Sequence, residues 1–165
     1  MGNHFKLLAA AATFALLAAG CGEKSGDGGA QAPPALTAAT LGEQQLLSAA
    51  VYLSQPPYVD ADQSNGARQA QVCRACHSLD AGGANMIGPA LFGFFGSEAG
   101  SREGFGYSPV LAEAAFVWTP RALDAWLAQP GRFLPGNRMT FAGVLREGDR
   151  NELIAYLLQV TSEGT

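Results

Sequence analysis

Hydrophobic and polar positions alternate in character along this chain. Behind a short polar start holding Lys6, Leu7 to Ala19 is an almost unbroken apolar run. Gly22 to Pro34 then carries almost no large apolar side chain, the composition of a segment that cannot bury enough surface to order itself. Leu46, Leu47, Val51 and Leu53 bring apolar residues back in a stretch that predicts a short helix stopped at Pro56-Pro57. From Gln63 onward the pattern becomes helical. Ser64 or Asn65 can cap a helix running into Cys73. Ser108-Pro109 places an N-cap before proline at the first helical position and opens a helix through Val110, Leu111 and Ala114. Thr119-Pro120 repeats that signal, with Leu123, Trp126 and Leu127 following at helical spacing and Pro130 as the stop. Asp149 to Glu152 reads as a capping box ahead of Leu153, Ile154, Leu157 and Leu158, which share one face. Gly- and Pro-rich loops join these segments, and neither strand-like alternation nor an internal repeat is present. The expected class is all-α, with four to five short helices.

The 165 residues allow one ordinary domain and additional segments. The apolar run is too short to cross a bilayer core, which needs roughly 20 residues, and has the proportions of a secretory signal. It ends Leu17-Ala18-Ala19-Gly20-Cys21, which resembles the lipobox of bacterial lipoproteins, although Ala18 stands where leucine is usual. The organisation that follows is residues 1–20 as signal peptide, 21–62 as lipidated N-terminus and flexible linker, and 63–165 as the folded domain. Export to the periplasmic side of a bacterial membrane, anchored by lipid on Cys21, is the expectation. As a coil, about 40 linker residues would span roughly 35 Å. A net charge of −4 and a pI near 5.0 exclude the basic surface that nucleic acid requires. Lysine is confined to Lys6 and Lys24.

The chemistry is concentrated in Cys73-Arg74-Ala75-Cys76-His77, the attachment pattern for c-type haem. Two thiols separated by two residues can reach both vinyl groups on one porphyrin edge, and the adjacent histidine then sits beneath the iron. A redox dithiol would need a βαβ context, which is missing. Structural zinc would need four ligands, and only His77 remains once His4 leaves with the signal. The same count removes a second histidine as sixth ligand and leaves Met86 and Met139. Met86 follows His77 by nine residues and would stay on the proximal side. Met139 lies 62 residues downstream, after Pro135 and Gly136, in a loop that can reach the opposite face.

With these pieces in order, residues 63–165 resemble class I cytochromes c. The family's Gly-Pro-x-Leu segment is present as Gly88-Pro89-Ala90-Leu91, its Pro-Gly-x-x-Met-x-Phe loop as Pro135, Gly136, Met139 and Phe141, and its Leu-Ile-x-Tyr-Leu string as residues 153–157. The resemblance implies a cytochrome c fold wrapped around one covalently bound haem c. It implies a Pro89 carbonyl accepting the second N–H of His77. Tyr107 and Trp118 correspond to donors to a haem propionate, with core packing as the alternative. Trp126 falls where relatives place a tyrosine near the methionine sulfur and either donates there or packs. The implied haem-contacting set is thus Cys73, Cys76, Pro89, Tyr107, Trp118, Trp126, Arg138 and Phe141, with His77 and Met139 on the iron.

Two departures stand out. Gly66 is kept for close approach of the first and last helices near Tyr156, but Gln69 and Ala70 replace a common aromatic. The lysine ring with which relatives dock partners is missing, leaving Arg74, Arg132 and Arg138 as a sparse basic rim. The implied function is one-electron transfer, without a small-molecule substrate. Electrons would come from a quinol-oxidising complex and go to a terminal oxidase, a reductase or a photosynthetic centre. A fixed subunit of a larger redox complex, or a gas- or peroxide-binding haem protein if Met139 is labile, are the alternatives.

Overall fold

The computed structural model describes residues 1–2 and 36–162. The signal segment and Cys21, together with the composition-biased stretch to Pro34, lie outside the described residues apart from Met1 and Gly2. Among those described, no helix is long and apolar enough to cross a membrane.

Six α-helices follow a 3₁₀ turn at Ala38–Thr40: α1 Ala49–Leu53, α2 Gln63–Arg74, α3 Pro109–Ala112, α4 Pro120–Ala128, α5 Pro130–Phe133 and α6 Glu147–Thr161. Five of them fall after residue 62, in line with the expected count, and no named strand occurs among the described residues. A lone bridge pairs Glu98 with Val117.

The frame is the crossing of α2 and α6. A Cβ on Gly66 would lie 2.3 Å from the Glu152 carbonyl oxygen and 2.7 Å from Tyr156 Cβ, so only glycine permits this approach. Gln69 and Ala70 do not leave the crossing slack. Ala70 is fully buried, and Gln69 Nε2 donates to the Asp149 carbonyl at 3.0 Å. Asn65 Nδ2 adds a bond to Glu152 Oε2. Leu153, Ile154, Leu157 and Leu158 are all buried, as their spacing predicts, and Ala155 and Thr161 are buried as well. Helix α6 is therefore enclosed on more than one face, packed against α1, α2 and α4.

Two helix starts differ from expectation. Asp62, not Ser64 or Asn65, is the N-cap of α2, and its Oδ1 accepts from both of their backbone N–H groups. A carboxylate at the cap satisfies two orphan donors and complements the positive end of the helix dipole, which a Ser64 hydroxyl two residues further in could not do. Helix α6 begins at Glu147, so Asp149 sits inside its first turn instead of capping it.

The larger difference concerns the linker. Of the segment 21–62 expected to be a flexible spacer, the described part packs on the domain, and residues 36–162 fall in one compact unit. Leu41 is 1% exposed and belongs to the core, as does Tyr58. Burial, with Asp124 and Tyr52 adding to it, pushes the Tyr58 phenol up to about 12. The apolar residues of this strap are irregularly spaced because they fill separate hollows of the domain surface, and that leaves no period to read.

Behind the site, Arg150 joins α6 to α4 and to the loop between α5 and α6. Its Nε meets Asp124 Oδ1 at 2.6 Å, and its Nη1 donates to the carbonyls of Val144 and Leu145 at 3.0 and 2.9 Å. Val144 N–H closes the same loop onto the Leu127 carbonyl at 2.7 Å.

Candidate haem site

Helix α2 ends at the motif. Cys73 lies in its last turn, and the N–H groups of Cys76 and His77 both bond the Cys73 carbonyl, at 3.0 and 2.9 Å. This turn presents both sulfurs and the imidazole to one side. The two cysteines are half-buried and not joined to each other. Burial raises the Cys73 thiol above its ordinary range.

The returning loop is stitched to the motif by its backbone. Gly88 N–H bonds the Cys76 carbonyl and Leu91 N–H the Ser78 carbonyl, each at 2.8 Å. Pro89 is thereby delivered to His77, whose Nδ1 lies 2.7 Å from the Pro89 carbonyl oxygen. A carbonyl can only accept, so Nδ1 carries the proton and Nε2 keeps its lone pair for a metal. Burial lowers the His77 pKa, partly opposed by the Pro89 bond, and so favours the neutral ring that coordination requires. Gly88 lies flat against the imidazole. A Cβ there would sit 2.2 Å from His77 Cε1.

The loop that carries Met139 lines, with this wall, one cavity of about 580 Å³. Asn137 shapes it. Its Nδ2 donates to the carbonyls of Pro130 and Leu134 at 2.9 and 2.8 Å, and its Oδ1 accepts from Met139 N–H at 2.9 Å. Trp126, on α4, donates from Nε1 to Met139 Sδ at 3.2 Å. Arg138 reaches the Gly106 carbonyl. Trp118 meets Trp126 edge to face, with ring centroids 5.4 Å apart.

Each of the ten residues singled out in the sequence lines this one cavity. Cys73, Cys76, His77 and Pro89 lie on one side. Trp126, Arg138, Met139 and Phe141 belong to the sulfur-bearing side, and Tyr107 and Trp118 complete the lining. Tyr107 packs edge-on against Phe105 at 4.8 Å, and burial raises its phenol, with Arg102 partly offsetting the effect. Met86 does not line the cavity and is 50% exposed. Three residues that matter here were not among those expected. Asn137 occupies one of the two free positions of the Pro-Gly-x-x-Met loop. Asn85 accepts from Ala90 N–H at 2.9 Å and donates to the Glu103 carbonyl at 3.0 Å. Arg102 lines the cavity and holds the Phe92 carbonyl. No residue type marks these partners in the sequence, because each of the three side chains bonds backbone groups, which every residue carries.

The cavity fits a haem on three counts. Its volume lies within the range of cofactor sites. Its lining is mostly apolar. Its donors are a neutral imidazole, a thioether and two thiols lining one cavity, a set suited to iron porphyrin and poor for a hard cation. Among the described residues, no group of three or more His, Cys, Asp or Glu side chains could hold another metal ion.

No family model matches the chain, but individual relatives do. It is similar to the cytochrome c of Theileria annulata, 40% identical over 91 residues that cover 55% of this chain and 78% of the relative. Cytochrome c2 of Blastochloris viridis is 35% identical over 109 residues, covering 66% and 86%. Cytochrome c-550 of Ancylobacter novellus is 40% identical over 105 residues, covering 62% and 98%. The helical fold, the thiol-imidazole turn and this near-complete coverage of relatives have one reading: the chain belongs to the cytochrome c family, all-α electron-transfer proteins with one covalently bound haem c.

Proposed function

We propose that this cytochrome is a one-electron shuttle on the periplasmic side of a bacterial membrane. Cys73 and Cys76 would hold the haem through thioethers, with His77 and Met139 as the two axial ligands. The observation that carries this reading is the meeting of His77, oriented by Pro89 at 2.7 Å, and Met139, oriented by Trp126 at 3.2 Å, on one cavity. Haem c held there supplies a one-electron iron couple. His77, with Nδ1 tied to a carbonyl, is a strengthened donor, while the softer Met139 sulfur favours the reduced state and a positive potential. Filling both axial positions leaves none for a substrate, which fits a carrier and not an enzyme. Tyr107 and Trp118 would donate to the propionates, whose burial is otherwise costly. Arg138 and Phe141 complete the cavity wall.

The donor would be a quinol-oxidising complex and the acceptor a terminal oxidase, a reductase or a photosynthetic centre. Lipid on Cys21 would hold the carrier at the membrane. Because residues 36–62 pack on the domain, a tether would not include them. Docking would not use a lysine ring, since residues 36–162 contain no lysine.

The testing measurement is the visible spectrum of the oxidised holoprotein. A weak far-red charge-transfer band, lost in Met139→Ala, is the expected result. A wild type without that band would overturn the His77/Met139 pair.

A further inference from the structure

The backbone at Trp118 is gripped from two sides. On one, Trp118 N–H donates to the Ser97 carbonyl at 2.9 Å and the Trp118 carbonyl accepts from Gly96 N–H at 2.8 Å. That pairing uses neither the Val117 carbonyl nor the Thr119 hydroxyl. Both are taken by one side chain from the N-terminal strap. Gln44 Nε2 donates to the Val117 carbonyl at 3.2 Å, and Gln44 Oε1 accepts from Thr119 Oγ1. The amide thus spends its donor and its acceptor on the two neighbours of Trp118.

Thr119 transmits the grip. It is 2% exposed, and its Oγ1 accepts from Ala122 N–H at 3.1 Å as the side-chain cap of α4. A hydroxyl accepting at a cap still has a proton to place, and Gln44 Oε1 receives it. Helix α4 carries Trp126, which donates to Met139 Sδ. Trp118 and Trp126 meet edge to face. A second cavity of about 310 Å³ lies between the strap residues Leu46, Leu47 and Tyr52 and the Trp118–Thr119 segment. Trp118 lines this cavity as well as the haem cavity, and its ring packs edge to face on Phe116 and Trp126. The directional bonds to the backbone on both sides of it fix where that ring stands.

We infer that Gln44 is a positioning residue for the methionine-bearing wall of the haem cavity. It clasps Val117 and Thr119, holding Trp118 between them and, through the cap of α4, Trp126 and Met139. The inference rests on the proposed His77/Met139 pair. The strap is thus a built-in brace on the more loosely held axial ligand.

The test uses the full-length holoprotein. Gln44→Met keeps the length and volume of the side chain and removes both bonds. The readouts are carbon monoxide binding to the reduced form and the pH at which the oxidised form loses its far-red band. Loss of one net hydrogen bond's worth of restraint raises the fraction of open iron about fivefold. Carbon monoxide affinity should rise by that factor, and the band should disappear at lower pH. Gln44→Glu keeps an acceptor for Thr119 Oγ1 and should fall between Gln44→Met and wild type, which also keeps the test open if Gln44→Met does not mature. Ser54→Ala removes the 2.8 Å bond from Ser54 Oγ to the Val51 carbonyl, inside the same strap but outside the clasp, and should leave both readouts unmoved. Wild-type behaviour in Gln44→Met, or an equal shift in Ser54→Ala, overturns the clasp while leaving the ligand pair intact. A wild type that lacks the far-red band overturns the ligand pair and the clasp with it.

Discussion

The two walls of the haem cavity are built in opposite ways. The histidine wall is local. Cys73 to Leu91 is a single stretch closed on itself by Gly88 to Cys76, Leu91 to Ser78 and His77 to Pro89. The methionine wall is assembled from afar. Arg138 reaches Gly106 across 32 residues, and Gln44 grips Thr119 across 75. Closing a longer loop costs more entropy, and sites that depend on many distant contacts open first when stability falls. The histidine side should therefore behave as a fixed platform and the methionine side as the place where ligation is tuned or lost.

The largest expected effect attacks the platform. In Gly88→Ala the new methyl would sit 2.2 Å from His77 Cε1, so the ring or the Pro89 loop must move. Overpacking of this kind costs about 1–3 kcal/mol. A lower denaturant midpoint and a reduced yield of haem-bound protein are expected. Maturation and unfolding at wild-type levels would show that the platform is softer than its bonds suggest.

A smaller effect separates the walls. Asn137→Ala deletes the acceptor of Met139 N–H and two donors that tie the loop to Pro130 and Leu134. About 1–2 kcal/mol of loop order is at stake. The far-red band should be lost at milder temperature or pH, while covalent haem content stays at the wild-type level. If haem attachment fell in parallel with the band, the two walls would not be independent.

The smallest effect concerns the strap. The folded-state pKa of Tyr58, about 12, exceeds the ordinary value of 10.0. Its contribution to stability is complete below pH 10 and is lost as pH rises from 10 towards 12. Tyr58→Phe cannot ionise, so its unfolding midpoint should decline less steeply across that window than that of the wild type. Equal slopes would remove Tyr58 from the alkaline response.

How far each part could be read in the sequence follows the same division. The haem motif, Pro89, and helix α4 between Thr119 and Pro130 were legible because each is signalled within a few neighbouring residues. The start of α2 was missed by two residues because three potential caps, Asp62, Ser64 and Asn65, stand close together. Only the backbone path shows that Asp62 is the acceptor and the other two supply the N–H groups. Asn137 and Arg102 were missed because their partners are carbonyls, and every residue has one. In the sequence the strap has the character of a spacer because its anchors, Leu41, Gln44 and Tyr58, follow no period.

Chain order alone accounts for the chemistry: two thiols, an imidazole and a turn between them can be placed from five consecutive residues. Spacing also picked Met139 over Met86, since a loop 62 residues away can reach a face that one nine residues away cannot. What required packing in three dimensions was the support. Whether a glutamine at position 44 is a solvated linker residue or the brace of an axial ligand depends on where a distant carbonyl and hydroxyl come to rest. Side chains that bond to the backbone of remote segments leave no local signature, because the partner is defined by position and not by residue type.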